Sequence, residues 1–299
     1  MSSALSATLL IAMTLACVGP LGAQPARSKP RAKVAAAKAP PKLTALQIVQ
    51  RSVARDEQNY ELLARYTYTT VSTDKRYKKD GSLDSSESKT HEVMMLAGSP
   101  YEKLVAEDGK PLSKKDAEKE QNKLDKELRK RQKDPKKERA EWEEERAKQR
   151  EFLSELPNAF TFTLLGTEML NGRPAWKIHA EPREDFEPQH SRADAFKKVR
   201  ATLWVDQKDF QWARADLELI DTMSWGWFLL RLAPGGKITI DQKSLNDEVW
   251  LPTNINIRAD ARVALFKMIR AEINIDYRDY QRFETESQIV DIQSLSSPK

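Results

Sequence analysis

The sequence predicts a mainly β (α+β) protein: a strongly curved antiparallel sheet, or half β-barrel, of about 10–12 strands, lidded by an N-terminal helix and carrying a charged helical insertion. Three observations predict it. From Arg65 onward the pattern alternates with period two, the turns between successive runs are short, and a single charge-dense stretch ending near Leu156 breaks the alternation. Strands joined by short turns are antiparallel neighbours, because a parallel crossover needs a dozen residues or more. A meander of this length curls instead of staying flat, and apolar residues on its inner face line a hollow.

The elements follow in order. Residues 1–23 carry no charged side chain and end in the small residues Leu21-Gly22-Ala23, which reads as a signal peptide for export to the periplasm of a Gram-negative bacterium. The alternative is a lipobox, Thr14-Leu15-Ala16-Cys17, with lipidation of Cys17 making an outer-membrane lipoprotein. Residues 24–42 hold six cations and no acid in a Pro/Ala/Lys tract that reads as a disordered linker able to touch an anionic membrane surface. A single domain is expected over 43–299. Leu46, Val49, Val53, Tyr60 and Leu63 have helical spacing, with Thr44 as N-cap.

Tyr66, Tyr68, Thr70 and Ser72 then alternate with Thr67, Thr69 and Val71; Lys79–Ser82 makes the turn, and Ser86–Ala97 and Tyr101–Ala106 follow as strands. Between Lys114 and Glu151 stand fifteen Lys/Arg and twelve Asp/Glu with no glycine, a helical insertion at about 110–156 that Pro135 divides into two helices. Strands are expected again at Phe160–Leu170 and Ala175–Ala180 around the turn dipeptide Asn171-Gly172. Residues 181–197 form a polar connection. Strands Val199–Val205, Phe210–Ile220, Trp225–Leu232, Lys237–Ser244, Trp250–Arg258, Arg262–Asn274 and Tyr277–Ile289 complete the chain, with a turn at Ala259–Ala261.

Charge and composition narrow the function. The chain has 299 residues with 50 Lys+Arg and 45 Asp+Glu, but the six cations of the linker account for the excess. The body is close to neutral, so it lacks the electrostatic footprint of a nucleic-acid binder. One cysteine builds neither a disulfide framework nor a zinc cluster. His91, His179 and His190 lie in separate elements without partners at ligand spacing, and Glu181, Asp185, Glu187 and His190 read as a polar loop. No nucleophile elbow, zincin helix, phosphate loop or dinucleotide fingerprint occurs. No catalytic residue, metal site or cofactor is assigned, and an enzyme is not expected; a hydrolase built on Asp185 and His190 is the residual enzymatic reading.

The apolar pattern points to binding. Trp225, Trp227 and Leu229 share one strand face while Phe228, Leu230 and Leu232 share the other, so both faces need cover, one of them from a helix or a guest. Trp176, Ile178 and Ala180 continue an apolar face, as do Val199, Ala201, Leu203 and Val205. Trp176, Ile178, Leu203, Trp225, Trp227 and Leu229 are therefore the expected lining of an apolar cavity suited to acyl chains. The competing reading is that the N-terminal helix fills that cavity permanently.

The runs Leu203-Trp204-Val205-Asp206, Asp209-Phe210-Gln211-Trp212 and Arg214–Glu218, followed by Asn246–Pro252 and Tyr277–Phe283, resemble the strand–turn–strand core of the LolA/LolB outer-membrane lipoprotein carriers. The likeness covers about 160–290 well and 43–106 loosely, and 107–156 has no counterpart. It implies a half-barrel whose cavity holds lipoprotein acyl chains, with a cavity arginine for which Arg65 is a candidate. The expected function is an exported envelope protein that binds a lipid or a lipoprotein acyl chain. The alternative is a non-enzymatic periplasmic scaffold whose charged insertion docks a protein partner of unknown identity.

Overall fold

The computed structural model describes residues 43–97, 99–225, 230–263 and 267–282. The signal segment, the basic linker, Cys17, Trp227 and Leu229 lie outside the described residues, as does the side chain of Trp225.

Helix α1 (Ala45–Leu63) starts at a full capping box: the Thr44 hydroxyl accepts from the Gln47 amide at 3.2 Å, and the Gln47 side chain accepts from the Thr44 amide at 3.0 Å. Strands β1 (Tyr66–Tyr77), β2 (Leu83–Leu96), β3 (Ser99–Glu107) and the two-residue β4 (Lys110–Pro111) form a meander. Helices α2 (Lys114–Lys133) and α3 (Pro135–Ala159) follow, with Asp134 as the N-cap of α3 and Pro135 in its first turn, where a missing amide costs nothing.

The chain then returns to strands: β5 (Phe160–Leu170), β6 (Arg173–Pro182), a 3₁₀ helix (Ser191–Lys198), β7 (Val199–Asp206), β8 (Trp212–Leu219), β9 (Met223–Trp225), β10 (Leu230–Leu232), β11 (Lys237–Leu245), β12 (Val249–Val263) and β13 (Lys267–Arg282). All pair antiparallel in one open sheet of order β4-β3-β2-β1-β13-β12-β11-β8-β7-β6-β5, with the short β9–β10 hairpin set against β12.

Three strand expectations are corrected. The stretch Trp225–Leu232 is not one strand: β9 ends at Trp225, and β10, starting at Leu230, pairs antiparallel with it. The turn placed at Ala259–Ala261 is absent: β12 runs through it, with both alanines inward and Asp260 outward, where Arg270 of β13 binds it at 2.9 Å. The break between Asn274 and Tyr277 is also absent, and β13 is continuous to Arg282 with Asp279 taking a left-handed φ of 56°. That one strained residue absorbs a register shift against β1 which sequence alternation does not reveal.

The curvature follows from the helices. Helix α3 touches β3 and β5, which are nine strand spacings apart in the sheet. A flat sheet would separate them by about 43 Å. The 25-residue α3 is about 37 Å long, and a curled sheet brings both strands within its reach. Helix α1 lies between, touching β5, β7 and β12 beneath α3. The main core forms there: Ile48 and Val49 of α1 meet Ala159 of α3 and Ile178, Leu203, Val205 and Leu219 of the sheet.

Candidate binding surface on the concave face

Helix α1 presents a mixed face to the sheet. Ile48, Val49 and Tyr60 are buried, but so are Ser52, Asp56 and Asn59. The Ser52 hydroxyl donates to the Phe210 carbonyl at 2.7 Å. Asn59 donates to the Trp250 carbonyl at 2.7 Å and accepts from the Trp250 amide at 2.6 Å, while the Gln211 side chain donates to the Arg55 carbonyl at 2.7 Å. These bonds satisfy backbone groups at the β7–β8 and β11–β12 turns, so polar contacts fasten the helix at several points. On its other side, the Arg146 guanidinium of α3 lies over the Tyr60 ring and binds Glu57 at 3.2 Å. Asp56 sits in this sandwich with its pKa pushed up to about 6, chiefly by burial, against the opposing pull of Arg146.

Beyond α1 the same face carries two rows of isoleucine. Cross-strand register aligns Ile240 with Ile255 and Ile255 with Ile275, and aligns Ile238 with Ile257 and Ile257 with Ile273. Ala259 and Ala261, on the same strand and in the same phase, pack in the core with α1, which fixes this as the concave side. Ile255 is buried, whereas Ile238, Ile240, Ile257, Ile273 and Ile275 are only half-buried. They form an apolar floor that α1 leaves partly open. Toward one end stands a tyrosine cluster: Tyr68 lies 5.9 Å from Tyr277 and 5.2 Å from Tyr280, ring centre to ring centre. Burial pushes the Tyr277 phenol up to about 12, so it stays protonated and neutral.

Across β1 and β2 the floor turns polar. Ser72 pairs with Ile275 and Lys89, Asp74 with Ile273 and Glu87, and Arg76 with Ala271 and Ser85. Burial raises the Asp74 carboxyl, with Arg76 and Lys89 opposing. An apolar lane bordered by a charged strip can take a molecule with a greasy tail and a polar head.

The sequence-predicted lining falls elsewhere on this face. Ile178 (0% exposed) and Leu203 (6%) sit at the bottom of the core under α1. Trp176 is half-buried beside them, its ring 5.1 Å from Phe210. Of Trp225, Trp227 and Leu229, only the backbone of Trp225 is described, in β9 opposite Leu230. Arg65 is exposed in the turn between α1 and β1. The isoleucine rows were missed, although the alternations Ile238/Ile240, Ile255/Ile257 and Ile273/Ile275 were visible in the sequence.

Other polar groups are structurally engaged. A cleft of about 270 Å³ beside Leu170, Lys243 and Trp250 is edged by Arg173, which binds Asp206 at 2.7 Å, Asp209 at 2.6 Å and Asp247 at 2.6 Å. In the 181–197 connection Asp185 pairs with Arg183 at 2.7 Å, and Glu155 of α3 accepts the backbone amides of Gln189 and His190 at 2.8 and 3.0 Å. Among the described residues no group of three or more His, Cys, Asp or Glu is placed to hold a metal ion, and no helix is long and apolar enough to cross a membrane.

No protein-family model matches the chain, and neither does any curated protein. Solved structures do align with it. An outer membrane lipoprotein-sorting protein domain from Vibrio parahaemolyticus is 10% identical, with 84% of this chain and 97% of that one covered at a TM-score of 0.35. A DUF1329 family protein from Desulfovibrio piger is 13% identical over 82% and 96%, with a TM-score of 0.31. The LolA superfamily protein NE2245 from Nitrosomonas europaea is 10% identical over 83% and 97%, with a TM-score of 0.29.

Proposed function

We propose that the chain is an exported, non-enzymatic protein of the Gram-negative envelope that binds a lipid or the acyl chain of a lipoprotein on its concave face. The half-buried isoleucines of β11–β13, which α1 leaves partly uncovered, carry this reading. An acyl chain laid along them gains about 0.8 kcal/mol for each CH₂ removed from water, so it binds without catalytic chemistry. Arg76 and Lys89 border the lane where a phosphate or carboxylate head would lie. The deeper part of the same face lies under α1, which Ser52 and Asn59 fasten to the sheet by hydrogen bonds. Lifting it extends the lining to Trp176, Ile178 and Leu203; Trp225, Trp227 and Leu229 belong to the proposal on the strength of the sequence alone.

The test is native mass spectrometry of protein recovered from a Gram-negative periplasm, paired with titration of a fluorescent fatty acid. Mature chain beginning at Gln24 with a co-purified lipid mass is expected. Ile257→Asp and Ile273→Asp each place a carboxylate on the floor and should weaken probe binding by about tenfold or more while thermal unfolding stays cooperative. Lipid-free protein that ignores the probe would rule the reading out.

A further inference from the structure

Helix α2 has two unlike sides. Leu124 is buried against the sheet edge, and Arg131 beside it donates to the Leu96 and Ser99 carbonyls at 3.0 and 2.9 Å and to the Ser99 hydroxyl at 2.7 Å. Gln121 accepts from Lys103 of β3 at 2.9 Å. The inner side is therefore clamped. On the outer side, Lys115, Lys119, Lys126, Arg129, Lys130 and Lys133 are all exposed, with Asn122 the one neutral residue among them. At 3.6 residues per turn these seven positions fall within an arc of about 100° and extend for about 27 Å.

No acidic residue of α2 falls inside that arc. Asp116 and Glu127 border it on one side and neutralise Lys119 at 2.7 Å and Lys130 at 3.5 Å, and Glu118 and Asp125 border it on the other. Lys115, Lys126, Arg129 and Lys133 make no ion pair among the described residues. The helix thus holds a straight cationic strip in a fixed orientation, and the fold itself supplies no counter-charge for much of it.

We propose that this strip docks the protein on an anionic phospholipid surface. Composition favours a membrane over a protein partner. Protein interfaces are built on desolvated aromatic, aliphatic and arginine anchors and are poor in lysine. The strip is five lysines and one arginine with no apolar side chain, which suits headgroup phosphates that attract without being desolvated. A straight row on a rigid helix can also meet a plane along its whole length.

The full mature chain is mixed with phosphatidylglycerol/phosphatidylcholine vesicles, or with phosphatidylcholine vesicles alone, and sedimented at low and high salt. Binding only to the anionic vesicles, released by salt, is expected. The variant K115Q/K126Q/R129Q/K133Q keeps helix formers and removes only unpaired charges, so it should fold as the parent does by circular dichroism and bind at least about tenfold more weakly. K115R/K126R/K133R should bind as the parent does. A companion with Arg27, Lys29, Arg31, Lys33, Lys38 and Lys42 changed to Gln separates the linker: it must retain strip-dependent binding. Equal binding by the α2 glutamine variant, binding that disappears with the linker cations alone, or strip-dependent capture of an acidic protein without any vesicle binding would each overturn the proposal.

Discussion

Asp56 is a carboxyl held in an environment unlike water. Its carboxyl is buried between α1 and α3, and its pKa is raised from 3.8 to about 6, by burial first, against the lowering effect of Arg146. The folded chain therefore holds the proton more tightly than the unfolded chain does. The contribution of this group to stability is fully present below about pH 4, is lost as pH rises through 6, and is absent above that. The full swing corresponds to about 3 kcal/mol at most. Asp56→Asn should flatten urea-unfolding profiles between pH 4 and 7 and raise stability at neutral pH; an unchanged slope would mean the carboxyl is solvated.

Arg131 makes the opposite case, a buried charge fully engaged by carbonyl groups and by Glu127 at 2.9 Å. Arg131→Met leaves those carbonyls unpaired and should cost about 3 kcal/mol, with faster amide exchange at the β2–β3 turn as the local readout. Neither environment was legible in the sequence. Asp56 reads as an ordinary polar position on an amphipathic helix, and Arg131 as one cation among fifteen.

At the scale of elements, local signals were the reliable ones. Pro135 divides the two helices of the insertion, Thr44 caps α1, and Asn171-Gly172 turns β5 into β6 with φ values of 52° and 77°. Each depends on the conformational limits of one or two residues, and so each shows in a short window. The candidate binding surface does not. Ile238 and Ile257 alternate as plainly as Ile178 and Leu203 do, yet the first pair is half-open and the second sealed. The difference lies in where α1 comes to rest, which depends on contacts between residues more than a hundred positions apart, such as Asn59 with Trp250.

At the scale of the whole molecule, an open sheet has two margins. One is occupied: α2 packs on β3 beside the two-residue β4. The other is β5, which among the described residues pairs only with β6 and exposes Leu164, Leu165 (55%) and Met169 (67%). Bare apolar edge strands invite pairing between chains. Leu165→Lys should lower self-association in concentrated solution, measured by sedimentation velocity, with a stability change within about 0.5 kcal/mol. Unaltered sedimentation would show that this margin is inert.

Because α3 reaches from the β3 side to the β5 side, it acts as a strut whose length cannot change without unwinding it. A helix so placed ties the two walls of the trough together, and the width between them follows its position. If the trough takes a guest as proposed, entry through its ends favours slender, thread-like molecules over compact ones.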